Sequence, residues 1–250
     1  MRESHHMTPP PVPPADGRPD RVSPPVQDYG HLASDYDDTR YVGSTNLLKE
    51  GFRRRALKEL LPAQGVRALD VACGTGRGVM ILREIAPLAC GVDGTREMLD
   101  VARKKIGQSR GVGVCQANAG ALPFASATFD VLTCLNFLHL FDAVDQKIAF
   151  VREIGRVMKP GGVAVIEFDN ALHGLALGAL RKYFGSDIGY DWPWIIRSCF
   201  PADLFTISQV RGANLPGVWR IPPLRFLEGW TDRFPLNYLA TRIFIRAVRK

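Results

Sequence analysis

Apolar residues recur along this chain in two alternating rhythms. Leu47, Leu48, Phe52, Leu57, Leu60 and Leu61 fall at helical spacing ahead of Pro62, and Ser44 or Thr45 can cap that helix. Residues 66–72 then form a short, nearly continuous apolar run, broken by Asp70 and followed by Gly74-Thr75-Gly76-Arg77-Gly78. A second run, 88–92, ends at Asp93, and Thr95 can cap a helix with Met98, Leu99, Ala102 and Ile106 on one face. Residues 113–117 and 129–135 read as a third and a fourth strand. Ile148, Val151, Ile154 and Val157 or Met158 return to helical spacing, and Lys159-Pro160-Gly161-Gly162 stops that helix before a fifth strand at 163–168. Such alternation predicts an α/β fold, with a mostly parallel, doubly wound sheet and helices on both faces. Beyond it the pattern predicts a helix at 172–183, strands at 204–210 and 241–248, and between them an insertion or cap, 211–239, rich in Pro, Gly and aromatics.

Composition adds boundaries. Residues 1–27 hold eight of the 18 prolines and almost no large apolar residues, which predicts a disordered tail ahead of a domain at 28–250. Within that domain the pattern separates a ligand-binding core at 45–168 from substrate-side elements and the insertion at 169–239. No apolar run reaches the roughly eighteen residues that span a bilayer. The five cysteines, Cys73, Cys90, Cys115, Cys134 and Cys199, show no CxxC spacing and sit mostly in strands, which suits a reduced, cytoplasmic setting. Residues 170–250 carry eleven basic and five acidic groups, so +6 of the net +7 lies there. This excess suits either a solvated Arg-rich surface or contact with an anionic acceptor, a membrane surface or nucleic acid.

Open parallel sheets bind ligands beyond the carboxyl ends of their strands. That edge receives Asp70 to Gly78, Asp93, Asn118 and Asn136 to His139. Glycines there allow sharp turns and close backbone approach, and Asp93 can accept both hydroxyls of a ribose. The spacing is GxGxG, not the GxGxxG of dinucleotide sites. Asp70, just before the loop, would repel a diphosphate yet suits an ammonium or sulfonium ligand.

These residues resemble a known family. Ala68-Leu69-Asp70-Val71-Ala72-Cys73-Gly74-Thr75-Gly76 resembles the first motif of class I methyltransferases, in the group that includes the ubiquinone/menaquinone enzymes. Val92 to Leu99, Asn118 to Phe124 with Phe129-Asp130, and Glu153 to Gly162 resemble later motifs, and residues 29–36 its lead-in. The resemblance implies a Rossmann-like, seven-stranded sheet and S-adenosyl-L-methionine as cofactor, with S-adenosyl-L-homocysteine as product. It implies that Asp70, Gly74 and Gly76, with Ala72 and Cys73 in the same loop, hold the methionine end. Asp93 would hold the ribose, Asn118 and the Ala119 amide would read adenine, and Tyr36 would close over the methionine part. Gly94 replaces a larger residue that often packs on adenine, so Met98 or Leu122 would do more of that, and Leu135 would also line the cofactor. Ala72 replaces a frequent glycine, a change suited to a negative φ.

The resemblance further implies methyl transfer by in-line displacement. A hydroxyl, phenol or acidic carbon acceptor needs a base, for which His139 is the candidate and Asn136 a second. Trp192 and Trp194, with Tyr190, can line an acceptor pocket or serve only in packing. Trp219, Phe226 and Trp230 can cap that pocket, and Arg220, Arg225 and Arg233 can meet an acidic group or remain solvated. The motif by which amino-methylating nucleic-acid enzymes hold their target is replaced by Asn136-Phe137-Leu138-His139. A small-molecule acceptor, lipophilic or acidic, is therefore favoured, with O- or C-methylation ahead of N-methylation. DNA is not expected, nucleic acid is disfavoured, and no metal ligands with sensible spacing occur. Peripheral membrane contact and a monomer or homodimer are compatible with the sequence. An RNA or protein methyltransferase, a cofactor-binding protein without turnover and a nicotinamide dehydrogenase are the rival readings.

Overall fold

The computed structural model describes residues 30–37, 43–141, 143–172 and 191–250, with only the backbone of Trp219. The predicted tail at 1–27, Tyr29, Tyr190 and nearly all of the predicted helix at 172–183 lie outside these residues. Seven strands form one open sheet in the order β3-β2-β1-β4-β5-β7-β6. They are β1 (Arg67–Val71), β2 (Leu88–Asp93), β3 (Val112–Gln116), β4 (Phe129–Cys134), β5 (Met158–Asp169), β6 (Phe205–Ala213) and β7 (Arg242–Arg249). β1 to β5 are parallel, and β7 runs antiparallel to both of its neighbours.

Side-chain alternation explains the two-sided cover. Leu69 and Val71 join Leu132, Ile166 and the apolar stripe of α4 (Val144–Val157) in one cluster. Ala68, Val131 and Val165 meet α1 (Ser44–Leu60), α2 (Arg77–Leu82) and α3 (Arg96–Ile106) in the other. The interruption at Asp70 now has a place, because its side chain faces the α2 layer.

Several element ends and caps differ from expectation. The N-cap of α1 is Gly43 (φ 89°), which places Ser44 and Thr45 inside the helix. Lys159-Pro160-Gly161-Gly162 does not itself end α4. The helix stops at Val157 because Met158 turns extended and pairs with Phe129, and the four residues bulge out before Val163 pairs with Val131. Residues 211–213 belong to β6, since they pair with Phe244, Ile243 and Arg242, so the insertion is 214–241. Thr95 is the N-cap of α3, but its side chain makes no capping bond. Asp93 accepts its backbone N–H instead.

The insertion holds 3-10 turns at Val218–Arg220 and Pro222–Trp230 and a short helix, α6 (Leu236–Leu239). Glu228 anchors it by accepting the amides of Asn214 and Leu215 (3.1 and 2.6 Å). β6 ends beside the start of β7, which pairs with the end of β5. The insertion therefore leaves the sheet at the same edge as the Gly-rich loop.

Candidate active site

β1 delivers the chain to a loop that must turn sharply, and three of its residues have positive φ: Ala72 (57°), Gly74 (51°) and Gly76 (81°). The negative φ at which the alanine would be tolerated without strain is thus not found. The left-handed turn is imposed because the next amide, on Cys73, donates to Val92 O at 2.9 Å. A left-handed alanine is strained by about 1–2 kcal/mol. Replacing Ala72 by glycine relieves this but adds unfolded-chain entropy. The expected net outcome is a stabilisation of about 0.5–1 kcal/mol, measured by urea unfolding.

Asp93 organises the loop from the next strand. Its Oδ2 accepts the Gly74 amide at 2.8 Å and its Oδ1 that of Thr95 at 2.9 Å. The carboxylate remains half-buried at the end of β2. Among the described residues, no heavy atom other than those of the adjacent residues lies within 4 Å of where a Cβ would stand on Gly74 or Gly94, so a ligand can lie against bare backbone at both. Asn118 is exposed two residues past β3, with Oδ1 accepting the Gly120 amide at 2.8 Å, and Ala119 is buried beside it. Met98 is buried on α3.

Asp70 is buried in β1 just before the loop. Its Oδ1 accepts the Thr133 hydroxyl at 2.6 Å, from the residue paired with it on β4. A Cβ on Gly78 would stand 2.2 Å from Asp70 Oδ2, so only glycine lets α2 begin over this carboxyl. Burial pushes its pKa up to about 7, against the opposing bond from Thr133.

Tyr36 is brought to the loop by its neighbour. Asp37 accepts the hydroxyl of Thr75 at 2.9 Å and Lys105 Nζ at 2.5 Å, which docks residues 30–37 beside the glycines. No local sequence signal announces this contact.

The second half of the site lies where β4 and β5 end. Cys134 pairs with Val71, so Leu135 and Asn136 leave the sheet level with the loop. His139 follows in the 3-10 turn Leu138–Leu140, its side chain about 10% exposed and its Nδ1 3.5 Å from Asp169 Oδ2. Arg242 Nη1 reaches Asp169 Oδ1 at 2.5 Å and donates to Asn136 Oδ1 at 3.1 Å. Beneath them Glu167 is buried and takes two bonds from Arg53, at 2.8 and 2.6 Å. Burial alone would raise its pKa, but Arg53 and Arg242 outweigh burial and hold it below the ordinary glutamate range. Asp169, Arg242 and Arg53 are absent from the sequence-predicted set, although the strand-end rule that selects Asp93 applies equally to Asp169.

Trp192 and Trp194 stack at 5.0 Å at the start of α5 (Pro193–Ser198). They follow Asp191, whose amide donates to Asp169 O at 3.0 Å, so they border the His139 side. Asp191 also holds Lys147 in a buried pair, at 2.6 and 2.7 Å. Arg220 and Trp230 are exposed on the insertion, where Trp230 packs on Phe226 and Arg233.

Residues 69–166 match the family described as a methyltransferase domain. The demethylmenaquinone methyltransferase of Deinococcus radiodurans is 34% identical over 176 residues, which cover 69% of this chain and 71% of that protein. The chain belongs to the class I S-adenosylmethionine-dependent methyltransferases. The demethylmenaquinone methyltransferase of Staphylococcus aureus strain Newman is also 34% identical, over 117 residues covering 46% of this chain and 47% of that protein. Two solved structures share the fold. One is the magnesium protoporphyrin IX methyltransferase of Synechocystis with S-adenosylhomocysteine, with a TM-score of 0.65 and 14% identity over 89% of this chain and 96% of that one. The other is an S-adenosylmethionine-dependent methyltransferase of Mesorhizobium loti, with a TM-score of 0.58 and 18% identity over 81% and 100%. The cofactor of this methyltransferase is S-adenosylmethionine, which supplies an electrophilic methyl on a sulfonium.

Proposed function

We propose that this methyltransferase alkylates an oxygen or an acidic ring carbon of a small, lipophilic phenol or hydroquinone. The observation that carries the reading is the meeting of His139 with Asp169 at the ends of β4 and β5, beside the Gly-rich loop. Asp169 faces Nδ1 and can orient the imidazole as the base. The 3.5 Å separation is looser than a made hydrogen bond, as is common before ligands tighten a site. The acceptor's oxygen or carbon attacks the methyl carbon in line with the departing sulfur, and the proton lost by the acceptor passes to His139. Loop amides, Asp93 and Asn118 position the cofactor, so alignment supplies most of the remaining rate. Trp192 and Trp194 offer flat apolar faces to a ring. The relatives named for demethylmenaquinone support a reduced quinone as the acceptor class.

The test incubates the protein with S-adenosylmethionine and matched panels of alkylated naphthohydroquinones, phenols and amines, followed by mass spectrometry. One methyl added to a hydroquinone or phenol is the expected product. Methylation confined to amines, or none of any reduced quinone under conditions where S-adenosylhomocysteine binds, overturns the reading.

A further inference from the structure

Large apolar side chains are rarely left in water in clusters, and a cluster marks a contact surface. In this protein six of them lie in the insertion: Ile221, Leu224, Phe226, Trp230, Phe234 and Leu239, with Phe234 81% exposed. Every residue from Arg220 to Phe226 is exposed. Phe226 packs edge-on against Trp230 at 5.4 Å, and the Arg233 guanidinium lies 5.6 Å from the Trp230 ring centre. Phe234 meets Tyr238, whose hydroxyl accepts Arg197 Nε at 2.9 Å. This contact leads to α5, which bears Trp194, 63% exposed.

The charges interspersed with these apolar tips are mostly positive. Arg220, Arg225 and Arg233 are exposed against Asp232, while Glu228 is turned inward onto backbone amides. Arg220 also stands near Lys49 of α1, whose pKa is lowered by burial and then by that neighbouring charge. Among the described residues no helix is long and apolar enough to cross a membrane. Short turns with aromatic tips and arginines are suited to the interface of a bilayer instead, where rings sit at headgroup level and cations meet lipid phosphates.

We propose that the exposed face of the 214–241 insertion, built on Phe226, Trp230 and Phe234 and flanked by Arg220, Arg225 and Arg233, docks onto anionic phospholipid bilayers. A second copy of the chain is a poorer occupant, because a two-fold contact through this face would oppose the same arginines. The insertion leaves the sheet at the edge that carries His139 and Asp169. Docking there would open the acceptor side of the site toward the membrane. That last consequence rests on the lipophilic acceptor proposed above; lipid binding itself does not.

The experiment is co-sedimentation of the full chain with vesicles of mixed phosphatidylcholine and phosphatidylglycerol, and with vesicles of phosphatidylcholine alone. Binding to the mixed vesicles is expected, on the order of tenfold weaker without the anionic lipid or at high salt. Brominated lipids are expected to quench tryptophan fluorescence, with less quenching in Trp230→Phe. Two variants test the residues: the apolar triple Phe226→Ser, Trp230→Ser and Phe234→Ser, and the charge triple Arg220→Glu, Arg225→Glu and Arg233→Glu. Each is expected to lose roughly tenfold or more in partitioning with calorimetric binding of S-adenosylhomocysteine unchanged. The proposal is overturned if the wild type stays in the supernatant with mixed vesicles, or if the charge triple sediments as the wild type does. A concentration-dependent dimer dissolved by these variants, without vesicle binding, also overturns it in favour of a second copy. Vesicle binding with no methylation of any hydroquinone or phenol would remove the proposed acceptor and leave this surface standing.

Discussion

Replacing His139 by alanine is expected to lower kcat by about 10²–10⁴-fold, the usual contribution of a positioned general base. Binding of S-adenosylhomocysteine should stay nearly unchanged. The split follows from position: His139 belongs to the Asp169–Arg242 side of the site, whereas the loop amides and Asp93 form the other side. A histidine that merely packs against the cofactor would show the opposite split, with weakened cofactor binding and a modest change in kcat. Asp169→Asn should lower kcat less than His139→Ala, since the imidazole remains but loses the carboxylate that stabilises its protonated form. Steady-state assays on the best hydroquinone acceptor, paired with calorimetry, separate these outcomes. An alanine variant with wild-type kcat removes His139 from the chemistry.

The central fold is legible in the sequence because each strand of a doubly covered sheet reads as an apolar run. The interruption at Asp70 also has a structural meaning, since it meets Thr133 on the neighbouring strand. What local pattern cannot supply is contact between residues far apart in the chain. Thr75 with Asp37, and Glu167 with Arg53, are separated by 38 and 114 positions. The same limit hides Arg242, which meets Asp169 and donates to Asn136 Oδ1, 106 positions away in the chain. Backbone conformation is equally opaque at Ala72, where side-chain identity argues for negative φ and tertiary hydrogen bonding imposes the reverse. The insertion reads as a cap from composition, but whether its aromatics face inward or outward depends on how Glu228 pins the chain.

Replacing Asp93 by alanine should have the largest effect on cofactor binding, weakening S-adenosylhomocysteine by about 100-fold or more, equivalent to about 2.7 kcal/mol. Two losses combine. The amides of Gly74 and Thr95 both give up their acceptor, so the loop and the first turn of α3 lose the group that sets their spacing. The carboxylate whose remaining lone pairs suit two ribose hydroxyls is removed as well, and pairing to an ionised acceptor is worth more than pairing to a neutral one. Asp93→Asn separates the two. Its single carbonyl oxygen can still accept one amide, but its NH₂ group faces the other donor and carries no charge, so an intermediate loss of about tenfold is expected. Calorimetric titration of both variants, with thermal unfolding as a check that the sheet is intact, measures the series. If the alanine variant binds within about threefold of the wild type, Asp93 organises only the empty loop and the ribose must be held elsewhere.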